Sequence, residues 1–209
     1  MNDCKLHQKA IFCIFSLFFS LTVQANDVLD RFYQNTQSLK ADFNQVVART
    51  DGKLIEQSKG HLQIKRPDKF ALEYVEPLEQ KYISNGDTLW IYDAELDLVT
   101  LKPLDEGLGD SPAMLLSSDK DIRKQYTVKT AAHKTTLERV ELSAKTENMT
   151  FERVILVFDK DILTKMIMYD SFNQVTTLTL ANTKINEPMP ETAFQFVPPA
   201  DVDIIGKAE

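Results

Sequence analysis

The residue types that could carry covalent or metal chemistry are scarce and badly spaced. Cys4 and Cys13, the two cysteines of the 209-residue chain, both fall within its first 25 residues. His61 and His133 are the histidines beyond them, far apart and with no cysteine nearby, whereas zinc sites draw several N or S ligands at close spacing. The run Asp93-Ala94-Glu95-Leu96-Asp97 resembles the start of a calcium loop. However, Leu98 stands where the sharp-turn glycine belongs and Leu104 where the bidentate glutamate belongs, so the run reads as a solvated hairpin. No G-x-S-x-G elbow or glycine-rich phosphate loop occurs. Asn148-Met149-Thr150 matches a glycosylation sequon, a pattern short enough to arise by chance. The reading is of a protein without catalytic residues, metal ligands or cofactors.

The N-terminal residues read as an export signal. Lys5 and Lys9 precede an apolar stretch over residues 10–23, and Val23-Gln24-Ala25 ends it with small residues at the positions a signal peptidase reads. The stretch is too short for the roughly 20 residues of a membrane span. A signal peptide over residues 1–25 is expected, then one domain over residues 26–209. That domain would hold no thiol, so its core must stabilise it without disulfides. Lys and Arg number 24 against 31 Asp and Glu, for a net charge of −7. No basic block stands out, which argues against nucleic acid and anionic membranes as partners.

The remaining elements are mostly strands. Residues 26–38 carry Val28, Leu29, Phe32, Tyr33 and Thr36 at helical spacing. After Leu39 the period becomes two: Ala41, Phe43, Gln45; then Leu62, Ile64; then Phe70, Leu72, Tyr74. Asn85-Gly86 signals a hairpin, and Leu89-Trp90-Ile91-Tyr92 is apolar on both faces. Pro112 opens a short apolar helix through Leu116. Strands resume over 126–130, 137–144, 151–158, 162–169 and 175–181, and residues 194–199 read as a final edge segment. Short connections imply antiparallel neighbours. The fold expected is mainly β: a single, strongly curved antiparallel sheet of ten or eleven strands with the helices on one face, where, if the sheet does not close on itself, they must act as a lid. Composition leaves open whether its inner face is packed solid or hollow.

Four motifs in register carry a resemblance. They are Gly60-His61-Leu62-Gln63-Ile64-Lys65-Arg66-Pro67-Asp68-Lys69-Phe70 with Tyr74 and Pro77, Ser84-Asn85-Gly86-Asp87-Thr88-Leu89-Trp90-Ile91-Tyr92-Asp93, Ser111-Pro112-Ala113-Met114-Leu115-Leu116-Ser117, and Phe194-Gln195-Phe196-Val197-Pro198-Pro199-Ala200-Asp201-Val202-Asp203. Together they resemble the periplasmic outer-membrane lipoprotein carrier family, LolA, over essentially the whole domain. The resemblance implies an unclosed barrel of about eleven strands lidded by short α-helices, its inner wall a hydrocarbon-lined vacancy, and a monomeric periplasmic carrier of acylated lipoproteins. Such a carrier accepts cargo from an inner-membrane lipoprotein-releasing ABC transporter and delivers it to an outer-membrane receptor lipoprotein, without covalent chemistry. It implies that Arg66 hydrogen-bonds the lid in the closed form, that Phe70 handles lipid, and that Met114 and Leu115 lie on the lid face that meets it. Phe32, Tyr33, Phe43, Leu62, Ile64, Leu72, Tyr74, Trp90 and Leu116 complete the expected hydrophobic cavity and lid. Ala200, where the family has glycine, and the aromatic pair Phe32 and Tyr33 depart from its pattern. The rival readings are the receptor lipoprotein, which would carry cysteine where Ala25 and Asn26 stand, a carrier or sensor of another lipid, and a small enzyme on the same scaffold.

Overall fold

The computed structural model describes residues 27–104, 111–131, 136–147 and 149–207. The expected signal peptide lies outside them, as do His133 and Asn148 of the sequon. Helix α1 spans Val28–Asn35. Asp27 caps it, its carboxylate accepting from the Asp30 amide at 2.9 Å. The helix stops before the expected residue 38 because Asn186 intercepts the backbone. That side chain donates to the Asn35 carbonyl at 2.7 Å and accepts from the Gln37 amide at 2.8 Å.

Strands β1 (Ser38–Arg49), β2 (Leu54–Lys65), β3 (Lys69–Glu76), β4 (Gln80–Asn85), β5 (Thr88–Asp93) and β6 (Leu98–Pro103) follow as hairpin-linked neighbours. The β4–β5 turn behaves as its sequence demands: Gly86 takes φ 107°, and the Asn85 side chain accepts from the Asp87 and Thr88 amides. Helix α2 (Pro112–Ser117) begins at Ser111, whose hydroxyl accepts from the Ala113 amide. A 3-10 turn at Ile122–Lys124 leads into β7 (Tyr126–Ala131), β8 (Leu137–Ala144), β9 (Phe151–Asp159), β10 (Ile162–Asp170) and β11 (Gln174–Ile185).

All strands join one sheet in the order β12-β6-β5-β4-β3-β2-β1-β11-β10-β9-β8-β7, which does not close. Its first and last members are edges, so the sheet is an unclosed barrel. β12 (Asp203–Gly206) was not anticipated. It pairs parallel with β6, whereas every other pairing among the described residues is antiparallel. A parallel neighbour needs a long crossover, and here the whole second half of the chain provides it. The expected edge segment at 194–199 is instead a strap. Glu191–Phe194 forms a 3-10 turn packed on β3 and β4, with Phe194 buried, and residues 195–199 have no regular structure. Prolines 198 and 199 lack the amide hydrogens a ladder requires.

The two faces of the sheet differ. The inner face gathers Leu39, Phe43, Leu62, Ile64, Phe70, Leu72 and Leu89 from one half, and Val140, Leu142, Val154, Leu156, Phe158, Met166 and Leu178 from the other, into one buried cluster. The strap crosses the outer face, where Glu191 meets Lys65 and Lys69 and Phe196 stacks on Tyr92 at 5.6 Å.

Candidate functional site

The inner face is covered by α1 and α2. Val28, Leu29 and Phe32 of α1 and Ala113, Met114 and Leu116 of α2 are buried in the same cluster as the strand side chains. A largely apolar sheet face of this width has to be covered or it would be exposed to water, and the helices cover it. Their hold on the sheet is mainly hydrophobic, with little chain length behind it: eight residues in α1 and six in α2.

Arg66, at the end of β2, ties both helices together. Its guanidinium donates to the Leu116 carbonyl of α2, from Nη2 at 2.8 Å and Nε at 3.2 Å. Nη1 donates to the Phe32 carbonyl at 3.2 Å and to the Thr36 carbonyl at the end of α1. The last carbonyls of a helix have no intrahelical partner and carry its partial negative charge. One cation therefore caps two helix C-termini at once. Arg66 also lies over the Phe32 ring at 4.7 Å and the Tyr33 ring at 4.5 Å. Its partners are carbonyl dipoles and ring faces rather than carboxylates. Burial lowers its pKa from the ordinary value, but a guanidinium stays protonated at any physiological pH.

Tyr33 adds a direct link between the helices, its hydroxyl donating to the Leu115 carbonyl at 2.8 Å. Burial pushes the phenol up to about 12, against the pull of the Arg66 charge, so the donor proton is kept. From the β2–β3 turn, the Asp68 amide donates to the Ser117 carbonyl at 3.1 Å. At the other end of α1, Arg123 donates to Asp30 at 2.7 Å and to Asp27 at 3.1 Å. Arg31 reaches Glu138 of β8 and Asp161 of the β9–β10 turn, both at 2.7 Å.

The expected residues come together with one exception. Phe32, Phe43, Leu62, Ile64, Phe70, Leu72, Met114 and Leu116 are buried in the inner cluster, and Tyr33, Tyr74 and Leu115 pack against it partly exposed. Trp90 does not belong. Leu89 and Ile91 point inward and contribute to the cluster, so alternation along β5 places Trp90 on the outer face. Composition could not show this, because β5 is covered on both faces. Arg31 and Arg123 were also missed; charged residues in a sequence read as solvated surface, and only their carboxylate partners across the fold reveal them. The aromatic and sulfur-containing wall of the second half, Tyr126, Phe158, Met166 and Met168, was legible as strand but not as site.

Where a vacancy was expected, side chains of both helices pack against the inner wall, and among the described residues an apolar hollow of about 40 Å³ lies beside α2. Opening it to a larger ligand requires the helices to move. Among the described residues, no cluster of His, Cys, Asp and Glu could hold a metal.

Comparisons with known proteins agree with this architecture. The family model described as outer membrane lipoprotein carrier protein LolA matches residues 34–197. A Nitrosospira multiformis outer-membrane lipoprotein carrier protein is 36% identical, over 97% of this chain and 100% of its own length. The protein of that name from Methylobacillus flagellatus is 33% identical over 93% and 96%, and the one from Dechloromonas aromatica 37% over 88% of each chain. Among solved structures, an uncharacterized conserved protein from Thermus thermophilus shares the fold at a TM-score of 0.55 and 11% identity, covering 85% of this chain and 96% of its own. A LolA superfamily protein from Nitrosomonas europaea does so at 0.51 and 13%, covering 81% and 96%. On the strength of its sequence and its lidded, unclosed sheet, the chain belongs to the LolA family of outer membrane lipoprotein carrier proteins.

Proposed function

We propose that this protein is a periplasmic carrier that holds the acyl chains of lipoproteins against the inner face of its sheet. The observation that carries the reading is a wide apolar wall covered by two short helices, which a single guanidinium joins through reversible hydrogen bonds. Each methylene brought out of water is worth about 0.8 kcal/mol, so three acyl chains of about 15 methylenes cost on the order of 30 kcal/mol to expose. A carrier has to offset most of that cost and still release its load. Acyl chains do so by taking the place of the lid side chains on the wall, while the closed lid protects the empty protein.

Residues 1–25 act as the export signal and are removed after Ala25. The acylated lipoprotein comes from an inner-membrane ABC transporter and goes to an outer-membrane receptor lipoprotein. Arg66 sets the balance between closed and open lid, and Phe32, Tyr33, Phe43, Leu62, Ile64, Phe70, Leu72, Tyr74, Met114, Leu115 and Leu116 meet the chains. No bond is made or broken, so no catalytic group is required. Mass spectrometry of the protein purified from periplasm without detergent tests this. Co-purifying triacylated lipoproteins support it. Recovery of another lipid alone would favour a carrier of that lipid on the same scaffold, and recovery of the protein always bare would count against lipoprotein carriage.

A further inference from the structure

The small hollow left under the closed lid lies to one side of α2 and has an unequal rim. Tyr33, Met114, Leu115, Tyr126, Met149 and Phe151 give it apolar walls, and Ser118, Lys120 and Gln125 give it a polar edge. At about 40 Å³ it offers more than the roughly 10–15 Å³ one water needs, yet far less than a whole acyl chain. That suits the tip of a hydrocarbon chain and not its length. Two of its walls are methionines, whose unbranched side chains re-pack readily around a new neighbour.

Tyr33 and Leu115 are shared between the hollow and the lid. The Tyr33 hydroxyl bonded to the Leu115 carbonyl links α1 to α2, and the Tyr33 ring lies beneath the Arg66 guanidinium. Anything forced deeper at this point strains the link between the helices first. The two helices are not equally free to yield. α1 is tied at its N-terminal half by Arg31 to Glu138 and Asp161, and by Arg123 to Asp27 and Asp30. No ion pair holds α2 among the described residues; its side chains are apolar or serine, and its polar ties run through backbone carbonyls.

We propose that this hollow is the entry port for the acyl chain: the terminal methyl end of a saturated fatty acyl group enters beside Met149 and Phe151, wedges Tyr33 from Leu115, and lifts α2 while α1 stays in place. The port rests on the carrier reading above and adds to it a place of entry and a moving part. Lys120 and Gln125 stay at the rim in contact with water, where the polar end of the ligand remains until the chain is inside.

Stopped-flow binding of a fluorescent tripalmitoylated cysteine peptide, without detergent, tests the port. Met149→Trp fills the hollow from its outer side. The port predicts an association rate reduced by about ten-fold, with equilibrium affinity changed by less than about three-fold, because a blocked path slows entry and exit alike. An unchanged association rate in a folded Met149→Trp protein would overturn the port alone. Failure of the unaltered protein to bind the peptide would overturn the carrier reading with it. A second measurement needs no substitution: a palmitoyl probe with a photoreactive group at its terminal carbon, flashed at increasing times after mixing. Labelling that begins at Met149, Phe151 and Tyr126 and moves later to Leu156 and Met166 supports the port. Labelling of the deep wall from the first time point contradicts it.

Discussion

Replacing Arg66 by leucine removes a guanidinium that bonds the C-terminal ends of both helices. Hydrogen bonds to a charged group contribute about 1.5–3 kcal/mol each, and the guanidinium reaches Leu116, Phe32 and Thr36 carbonyls. These contributions do not add fully, because carbonyls released at a helix end are rehydrated. A loss of about 2–4 kcal/mol of preference for the closed lid is the expected net effect, or about 30- to 700-fold in the closed-to-open ratio. Where the closed form predominates, apparent affinity is reduced by the fraction that is open. Arg66→Leu should therefore bind an acylated peptide more tightly by a factor approaching that shift, and release it to a receptor more slowly. Arg66→Lys should recover only part of the difference, since an ammonium is a point charge that cannot fork across two helix ends. The assay pairs equilibrium binding of the acylated peptide with its rate of transfer to purified receptor. Equal affinity and equal transfer in Arg66→Leu and the unaltered protein would refute the latch.

Three further outcomes follow from the same geometry. A methyl group added at Gly60 would sit 1.9 Å from the Glu73 carbonyl oxygen and 2.8 Å from the Phe43 ring, so Gly60→Ala should cost about 3 kcal/mol and lower Tm by about 6–12 °C, read by thermal unfolding. Glu191 is held down to about 2 by its hydrogen bonds to Lys65 and Lys69; a carboxyl lowered on folding stabilises above its ordinary pKa of 4.5 and loses that contribution as pH falls toward 2. Hydrogen exchange of the strap should then be faster in Glu191→Gln than in the unaltered protein at pH 7, with the difference gone near pH 2. Trp90, the single tryptophan, lies on the outer face, so its fluorescence maximum should stay fixed while acylated peptide loads; a marked blue shift would place it against lipid.

The strands of the inner wall were legible because each buries one face: Leu62 and Ile64, or Phe70 and Leu72, alternate with polar neighbours. Leu89-Trp90-Ile91-Tyr92 was not, since β5 is covered inside by the cluster and outside by a strap from more than a hundred residues later. Phe194-Gln195-Phe196 has the period of a strand, yet its aromatics anchor that strap, and the true edge strand, Asp203–Gly206, is too short to show a period at all. Arg66 was singled out by the motif around it and not by any pattern of charge or spacing. Arg31 and Arg123 offered no such motif, and their role depends on partners brought close only by folding. Whether the inner face is hollow or filled is a property of how the helices lie, and composition is the same in both cases.

The exchange of lid for lipid is tested most directly by a distance. Spin labels at Asp119, just past α2, and at Lys40, on β1, report the position of α2 relative to the sheet by pulsed electron resonance. The account predicts one short distance in the empty protein and a longer one once a triacylated peptide is bound. An unchanged distance with the peptide demonstrably bound would mean that the chains lie elsewhere, and that the inner wall is an ordinary core.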